Sequence, residues 1–325
     1  MFDVLFLAYD DNANTGLRFW KCARHLGLNA AMFKGKRHDL GYPEQAPLHP
    51  SLSNGPIYSS PVTVLAPGIE SMINHSRVIH LVASTYPVCG VDWSKKNVIV
   101  HHGGTVYRQN PKECNDIFNQ FAKKTLIQCP DLLGLGAVNE NLIYYPVDTK
   151  ELRPAYHIRG ENVTVGHFPS NPVKGTAAIE TTIRRLIAEG LKINYIGSSS
   201  RVPWKENLER MAKCDIIIEG CNTHQNGKVY GEWGNTALEA SALGCAVVTH
   251  CLSKIKYENE FGELGLVVAN NTDDLALAIK NLVSDEDYLL KVKHRCRKWA
   301  VKNHSIPATA MRLWELMWKE YFEAI

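Results

Sequence analysis

Short apolar runs of strand length alternate with helix-period segments from one end of the chain to the other. The runs at 2–9 (FDVLFLAY), 29–34, 62–67, 78–84, 97–102, 124–129 and 142–147 form one series. A second series follows at 163–168, 192–197, 215–220 (DIIIEG), 245–250 (CAVVTH) and 264–269. Such near-continuous apolar strands are buried on both faces, which predicts parallel sheets covered by helices. Between them, Ile179, Ile183, Leu186 and Ile187 recur at helical spacing within 174–190 and stop at Gly190. Residues 14–27 behave likewise and stop at Gly27, while 271–325 reads as helical with a break near Ser305-Ile306-Pro307. The proline-punctuated polar stretch 144–163 separates two βα series of similar size, so the expected fold is α/β with two Rossmann-like domains, the second beginning near residue 160. Residues 40–61, rich in Pro, Gly and Ser without periodicity, form a long loop of the kind that often binds ligands.

A length of 325 residues suits two cores, because single cores seldom grow beyond ~250–300 residues. A formal charge of +3 is nearly neutral for this length and argues against a strongly electrostatic nucleic-acid binder. The basic run KVKHRCRKW (291–299) is the local exception, and reads first as a solvated helix face. Nine cysteines stand singly, none at C-x-x-C spacing. That predicts reduced thiols acting as small core residues in a cytoplasmic protein, with no metal cluster. The N-terminus MFDVLFLAYDDN meets acids at once and reads as a first strand, not a signal peptide. No run reaches the ~18 apolar residues of a membrane span, although peripheral contact with a membrane surface stays open.

In open parallel sheets ligands bind beyond the carboxyl ends of strands, where loops meet helix N-termini. Four such loops carry polar residues. In AYDDNANTGLRF, Asn14 and Thr15 can cap the helix and Gly16 permits close approach of a ligand. In VHHGGTVYRQNP, His102 ends a strand, two glycines follow, and Arg108 lies six residues on. In VGHFPSNPVKGT, His167, Ser170, Asn171 and Lys174 stand between a strand and a helix. There an ammonium at the positive helix end makes a place for a diphosphate. In GEWGNTALEASALG, Gly234, Asn235 and Thr236 open a helix and Glu239 lies one turn inside it. Capping accounts for the first residues; it accounts for Glu239 only if Thr236 is the cap.

Taken together these stretches resemble the GT-B glycosyltransferases, and within them the retaining family 4 that uses nucleotide sugars. HFPSNPVKGT is similar to that family's H-A-P-S-N-R-x-x-K-G-T loop, and YGEWGNTALEASALGCAVV to its E-G-F-G-x-x-x-L-E-A-M-A-x-G-x-P-V-V signature. HHGGTVYR resembles the H-G-x-x-x-R loop and YYPVDTKELRP the N-P-V-D-x-x-x-F-x-P linker, all in the family's order. The resemblance implies two Rossmann-like domains whose parallel sheets face each other across a cleft. Residues 1–155 would bind the acceptor and 156–305 the nucleotide sugar, with a helix at 306–325 crossing back to the first domain. It implies that Lys174 contacts the donor diphosphate and that Glu239 holds the ribose. N–H groups near Gly234, Asn235 and Thr236 would bind phosphate oxygens. His102 and Arg108 would face the sugar, and Gly16, Asn14 and Thr15 would line the acceptor side of the phosphate. No cofactor or metal is implied beyond the donor, a UDP- or GDP-type sugar. On the terminal helix Leu313, Trp314, Met317, Trp318 and Tyr321 form one stripe, read as core packing.

Two departures stand out. Gly231 occupies the place of the family's first acid, with Glu232 one step late as its catalytic substitute, and Pro172 replaces an arginine whose charge His167 would offset. The expected reaction is transfer of a hexose or pentose, with retention, to a hydroxyl of a saccharide or lipid-linked glycan. Alternatives are a sugar transferase acting on a hydroxylated DNA base, a nucleotide-sugar epimerase, or a non-catalytic binding protein.

Overall fold

The computed structural model describes residues 1–323 except 39, 43–45, 51, 53–67, 84, 89, 103, 155–159, 170–173, 198–199 and 226. The side chains of Asn12 and Thr105 are outside it as well, as are the strand expected at 62–67 and the candidate residues Ser170, Asn171 and Pro172. The chain divides into two compact units, Met1–Pro146 with Ile306–Ile325, and Val147–Ser305.

The first unit begins with β1 (Phe2–Ala8), α1 (Thr15–His25), β2 (Ala30–Lys34), α2 (Ile69–Asn74) and β3 (Ser76–Val82). It continues through β4 (Val98–His102), α3 (Gly104–Gln109), α4 (Pro111–Phe118), β5 (Ala122–Ile127) and β6 (Glu140–Leu142). The second unit opens with β7 (Val163–His167), α5 (Thr176–Ala188), β8 (Ile193–Gly197), α6 (Trp204–Met211) and β9 (Ile216–Gly220). A small hairpin follows, β10 (His224–Gln225) and β11 (Lys228–Val229), then α7 (Asn235–Ala242), β12 (Ala246–Thr249), α8 (Lys254–Phe261) and β13 (Val267–Val268). Helices α9 (Thr272–Ser284) and α10 (Glu286–His304) complete it. The chain then rejoins the first unit as α11 (Ile306–Leu313), a π-helical turn at Trp314–Trp318, and α12 (Lys319–Glu323).

Among the described residues the first unit holds a six-stranded sheet in the order β2-β1-β3-β4-β5-β6. The second holds a five-stranded sheet in the order β13-β12-β9-β7-β8, and every pairing in both is parallel. The period of two along a strand sorts side chains to opposite faces. Val4, Phe6 and Ala8 join one cluster with Phe19 and Trp318, while Leu5 and Leu7 join the other with Tyr107 and Phe118. Helix α1 lies close on the sheet because residue 16 is glycine. A Cβ there would come within 2.9 Å of Met32 Cε and 3.2 Å of Val82 Cγ1.

Two elements differ from expectation. The last strand of the first sheet is short and early, at Glu140–Leu142 in place of 142–147. Pro146 has no N–H to give to a ladder, and Val147 beyond it bridges to Ser305, its N–H donating to His304 O at 2.7 Å. The hairpin β10–β11 was not anticipated, although the Asn226-Gly227 pair inside HQNGKV is a strong hairpin signal.

The C-terminal stripe is core. Leu313, Met317 and Trp318 are buried against the first sheet, with Trp314 and Tyr321 half-buried beside them. Trp318 is fully buried and its indole N–H donates to His80 Nε2 at 2.7 Å. Trp318→Ala is expected to destabilise the chain by about 3–5 kcal/mol, through a cavity and an orphaned acceptor. The Trp318→Phe variant should recover most of that loss in urea unfolding, and equal losses for both would show that the hydrogen bond outweighs the packing.

The basic run on α10 turns inward. Lys293 pairs with Asp215 at 3.1 Å, Arg295 donates to Gly265 O at 3.2 Å, and Arg297 donates to the carbonyls of Thr149, Leu152 and Ala242. Ala242 is the last residue of α7, so Arg297 satisfies an end carbonyl at the negative end of that helix. Lys291, His294 and Lys298 are exposed, so the expected solvated face is kept on one side of the run while the other side turns inward. Of the cysteines, the eight described are free thiols, and all but Cys129 are buried. No described helix is long and apolar enough to cross a membrane.

Candidate functional site

In the second unit the strand ends β7, β9 and β12 and the start of α7 meet around one ion pair. Lys174, just before α5, contacts Glu219 Oε1, and Glu219 is fully buried at the end of β9. The same Oε1 accepts the Gly234 N–H at 3.2 Å, and Oε2 accepts the Thr249 hydroxyl at 2.9 Å. Burial alone would raise the Glu219 carboxyl, but the Lys174 ammonium and these hydrogen bonds outweigh it and hold it below its ordinary value. Burial alone would likewise lower Lys174; the Glu219 charge, with Tyr230 and Glu239 nearby, raises it instead. Lys174 is therefore a buried cation made tenable by a buried anion.

Helix α7 begins at this pair. Its N-cap is Gly234 and it has no side-chain cap hydrogen bond; Asn235 and Thr236 are half-buried at its mouth. Glu239 is buried one turn in, where Oε1 accepts the Trp204 indole N–H at 2.9 Å. At the other end Gly244 takes φ 84°, its N–H donates to Ser241 O, and the Cys245 N–H donates to Ala240 O, closing α7 in a Schellman turn. The loop before α7 is held by Trp233, whose ring packs edge-on to Tyr257 and Trp299. Tyr257 is itself a hub: its hydroxyl accepts from Trp299 Nε1 at 2.7 Å and Asn303 Nδ2 at 3.1 Å and meets His304 Nε2 at 2.9 Å. This aromatic core from α8 and α10 sets where Gly234 sits.

The other candidates in this unit are placed differently from expectation. His167 is buried; its Nδ1 donates to Ile218 O at 2.8 Å and its Nε2 accepts from Thr176 Oγ1 at 3.1 Å. Burial lowers its pKa. Glu232 is buried against Cys251, whose thiol lies 3.9 Å from Oε1. The acid touching Lys174 is Glu219, which motif reading passed over as the end of an apolar strand. The Gly234 N–H, expected to bind phosphate, is given to that carboxylate.

In the first unit, β4 sends its two histidines to opposite faces. His102 stacks flat on Tyr107 at 4.0 Å, and its ring nitrogens have no hydrogen-bond partner among the described residues. Burial holds it down to about 3. His101 lies on the Trp318 side. Indole can only donate, so His80 Nε2 accepts from Trp318 and its Nδ1–H donates to His101 Nε2 at 2.6 Å. Arg108 is committed to Asp131, Nε to Oδ2 at 2.6 Å, with both side chains buried. The start of α1 is filled by Asp11, another residue that motif reading missed. Its carboxylate accepts the N–H of Gly16 at 2.6 Å and of Leu17 at 3.1 Å. Asn14 and Thr15 are buried beside it, and Asn14 makes no cap hydrogen bond. The Gly16 N–H is thus occupied, and the glycine itself is explained by the closeness of α1 to the sheet.

No protein-family model and no curated protein matches the sequence. Solved structures do match in fold. HepE from Anabaena in complex with UDP-glucose aligns with a TM-score of 0.61 at 14% identity, over 97% of this chain and 99% of that one. Sucrose-phosphate synthase from Thermosynechococcus elongatus gives 0.62 at 12% identity, over 99% and 100%. A glycosyltransferase from Rickettsia africae gives 0.59 at 14%, over 99% of both chains. Two parallel α/β units in one chain, aligned end to end with these structures, give this protein the GT-B glycosyltransferase fold.

Proposed function

We propose that this chain is a glycosyltransferase that moves a sugar from a nucleoside diphosphate to an acceptor hydroxyl with retention at the anomeric carbon. The observation that carries this reading is the buried Lys174 cation at the open N-terminus of α7, one helical turn from the fixed carboxylate of Glu239. A cation and a helix N-terminus together suit a diphosphate, and a carboxylate held by Trp204 suits the vicinal hydroxyls of a ribose. The UDP and UDP-glucose complexes of HepE, in the same fold, support a uridine donor. Charge builds on the leaving diphosphate as the glycosidic bond to it breaks. Lys174 and the first-turn N–H groups at Asn235 and Thr236 would stabilise that charge in place, without reorganisation. The leaving phosphate would then accept the acceptor's proton on the same face. A saccharide or lipid-linked glycan is the acceptor proposed.

Thermal unfolding with UDP, GDP and ADP tests the donor, followed by UDP-glucose turnover read as UDP release. One nucleotide is expected to raise the melting temperature, and UDP first. Retained anomeric configuration in the product supports the mechanism, and epimerised donor or tight binding without release would replace it. The absence of any shift with all three nucleotides would overturn the reading.

A further inference from the structure

The Lys174–Glu219 pair poses a physical question that nucleotide binding alone does not answer. An ammonium beside a helix N-terminus faces like charge, and this one is also buried, with a side chain only 13% exposed. Left alone it would shed its proton. The structure supplies an internal anion at the one place that prevents this. Glu219 reaches Lys174 across 45 residues of sequence and is itself gripped by Thr249 and by the Gly234 N–H that opens α7. Around the pair stand His250 at the end of β12, Tyr230 after the hairpin and Glu239 on α7. His250 is held neutral by burial, and its ring lies 5.1 Å from Tyr230, so it brings no competing charge. Glu219 is fully buried and out of a ligand's reach, which rules out direct contact with the donor.

We propose that Glu219 is a positioning residue for donor binding, holding the Lys174 ammonium charged and in place at the mouth of α7 so that a diphosphate meets a cation there. The proposal rests on the reading of Lys174 as a diphosphate-binding residue. In the free protein the lysine pairs with Glu219 beside the helix end. On binding, a phosphate oxygen approaches its exposed edge while Glu219 keeps the other. The family's first acid position, Gly231, cannot do this, and Glu232 is turned to Cys251. The strand-end acid Glu219 is therefore where this chain keeps the carboxylate its site needs.

The test compares the full chain with Glu219→Gln, which keeps the shape and removes the charge. Two readouts are taken from pH 7 to 10: UDP affinity by calorimetry, and acetylation of Lys174 by acetic anhydride, read by mass spectrometry. The diphosphate is close to fully ionised across this range, and titration of the uracil ring affects both proteins alike. The wild type should hold its UDP affinity to pH 9 with Lys174 unreactive. In Glu219→Gln, Lys174 should become reactive and UDP affinity should fall tenfold or more between pH 7 and pH 9. A loss by the same factor at every pH would mean that Glu219 acts through shape alone and would overturn the proposal. If UDP, GDP and ADP bind neither protein while Lys174 reactivity still shifts, the nucleotide reading falls and the lysine–carboxylate coupling stands. Should Glu219→Gln fail to fold, Glu219→Asp, which withdraws the charge by one methylene, gives both readouts with a smaller shift.

Discussion

Lys174→Met is expected to do two separable things, each large. If Lys174 stabilises the departing diphosphate, turnover should fall about 10²–10³-fold, the usual cost of removing one preorganised charge stabiliser. Independently, the protein should lose about 3–5 kcal/mol of stability, because removing one partner of a buried pair leaves Glu219 an uncompensated buried anion. The double variant Lys174→Met/Glu219→Gln separates the two effects. Two neutral side chains of similar volume can replace a buried pair at little net cost, so stability should return while activity stays lost. The pH dependence of the single variant provides a further check. In the wild type the Glu219 carboxyl lies below its ordinary value, so it stabilises the fold at neutral pH and loses this contribution on acidification. In Lys174→Met, burial raises that carboxyl, so the folded state binds the proton more tightly and stability recovers as pH falls. Urea midpoints at pH 5 and pH 8 measure the sign. A single variant as stable as the wild type at pH 8 would refute the buried-pair argument.

Acidification should destabilise the first unit steeply below pH 6. His80, His101 and His102 are buried and neutral there; burial holds His101 and His102 to about 3 and His80 well below its ordinary value. A folded-state pKa below the unfolded one means that the unfolded chain binds more protons below pH ~6.5, so stability falls as pH drops. Each such histidine contributes up to about 1.4 kcal/mol per pH unit, and the three together roughly 4 kcal/mol per pH unit. Asp11 works in the opposite direction. Burial, outweighing its bonds to Gly16 and Leu17, raises it to about 6, so it adds stability as pH falls from about 6 toward its ordinary range. One carboxyl offsets about one histidine, leaving a net loss of roughly 3 kcal/mol per pH unit below pH 6. His167 and His250 in the second unit carry the same sign. Denaturant midpoints measured from pH 8 to pH 5 should therefore be level above pH 7 and drop steeply below 6. A flat profile down to pH 5 would contradict the neutral burial of these rings.

The strands that carry the fold were readable because burial on both faces writes itself as an unbroken apolar run. FDVLFLAY, NVIVHH, DIIIEG and CAVVTH each coincide with a paired parallel strand. Helix ends were readable where one residue type is needed, as at Gly244 with its positive φ. Misreadings came where two signals competed. The run LIYYPV looked like one strand, yet only its first residue lies in β6; the chain leaves that edge after Ile143, and Val147 bridges to Ser305 instead. The basic run on α10 read as a solvated face, yet half of it turns inward, because sequence gives composition without showing which carbonyls lie within reach of Arg297.

The same contrast divides the site. The sequence alone determined the two α/β units and the strand-end loops, and it marked Lys174 and Glu239 as candidates, because local pattern and turn chemistry act over a few residues. Which groups meet was decided by the tertiary structure. Glu219 and not Glu232 partners Lys174, Asp11 and not Asn14 closes the start of α1, and Trp318 reaches His80 from 238 residues away. Those contacts join distant strand ends, and a buried charge or ring nitrogen takes whichever partner the packed chain brings within hydrogen-bond distance. Local sequence carries no term for that encounter, so it emerges only once the sheets have formed.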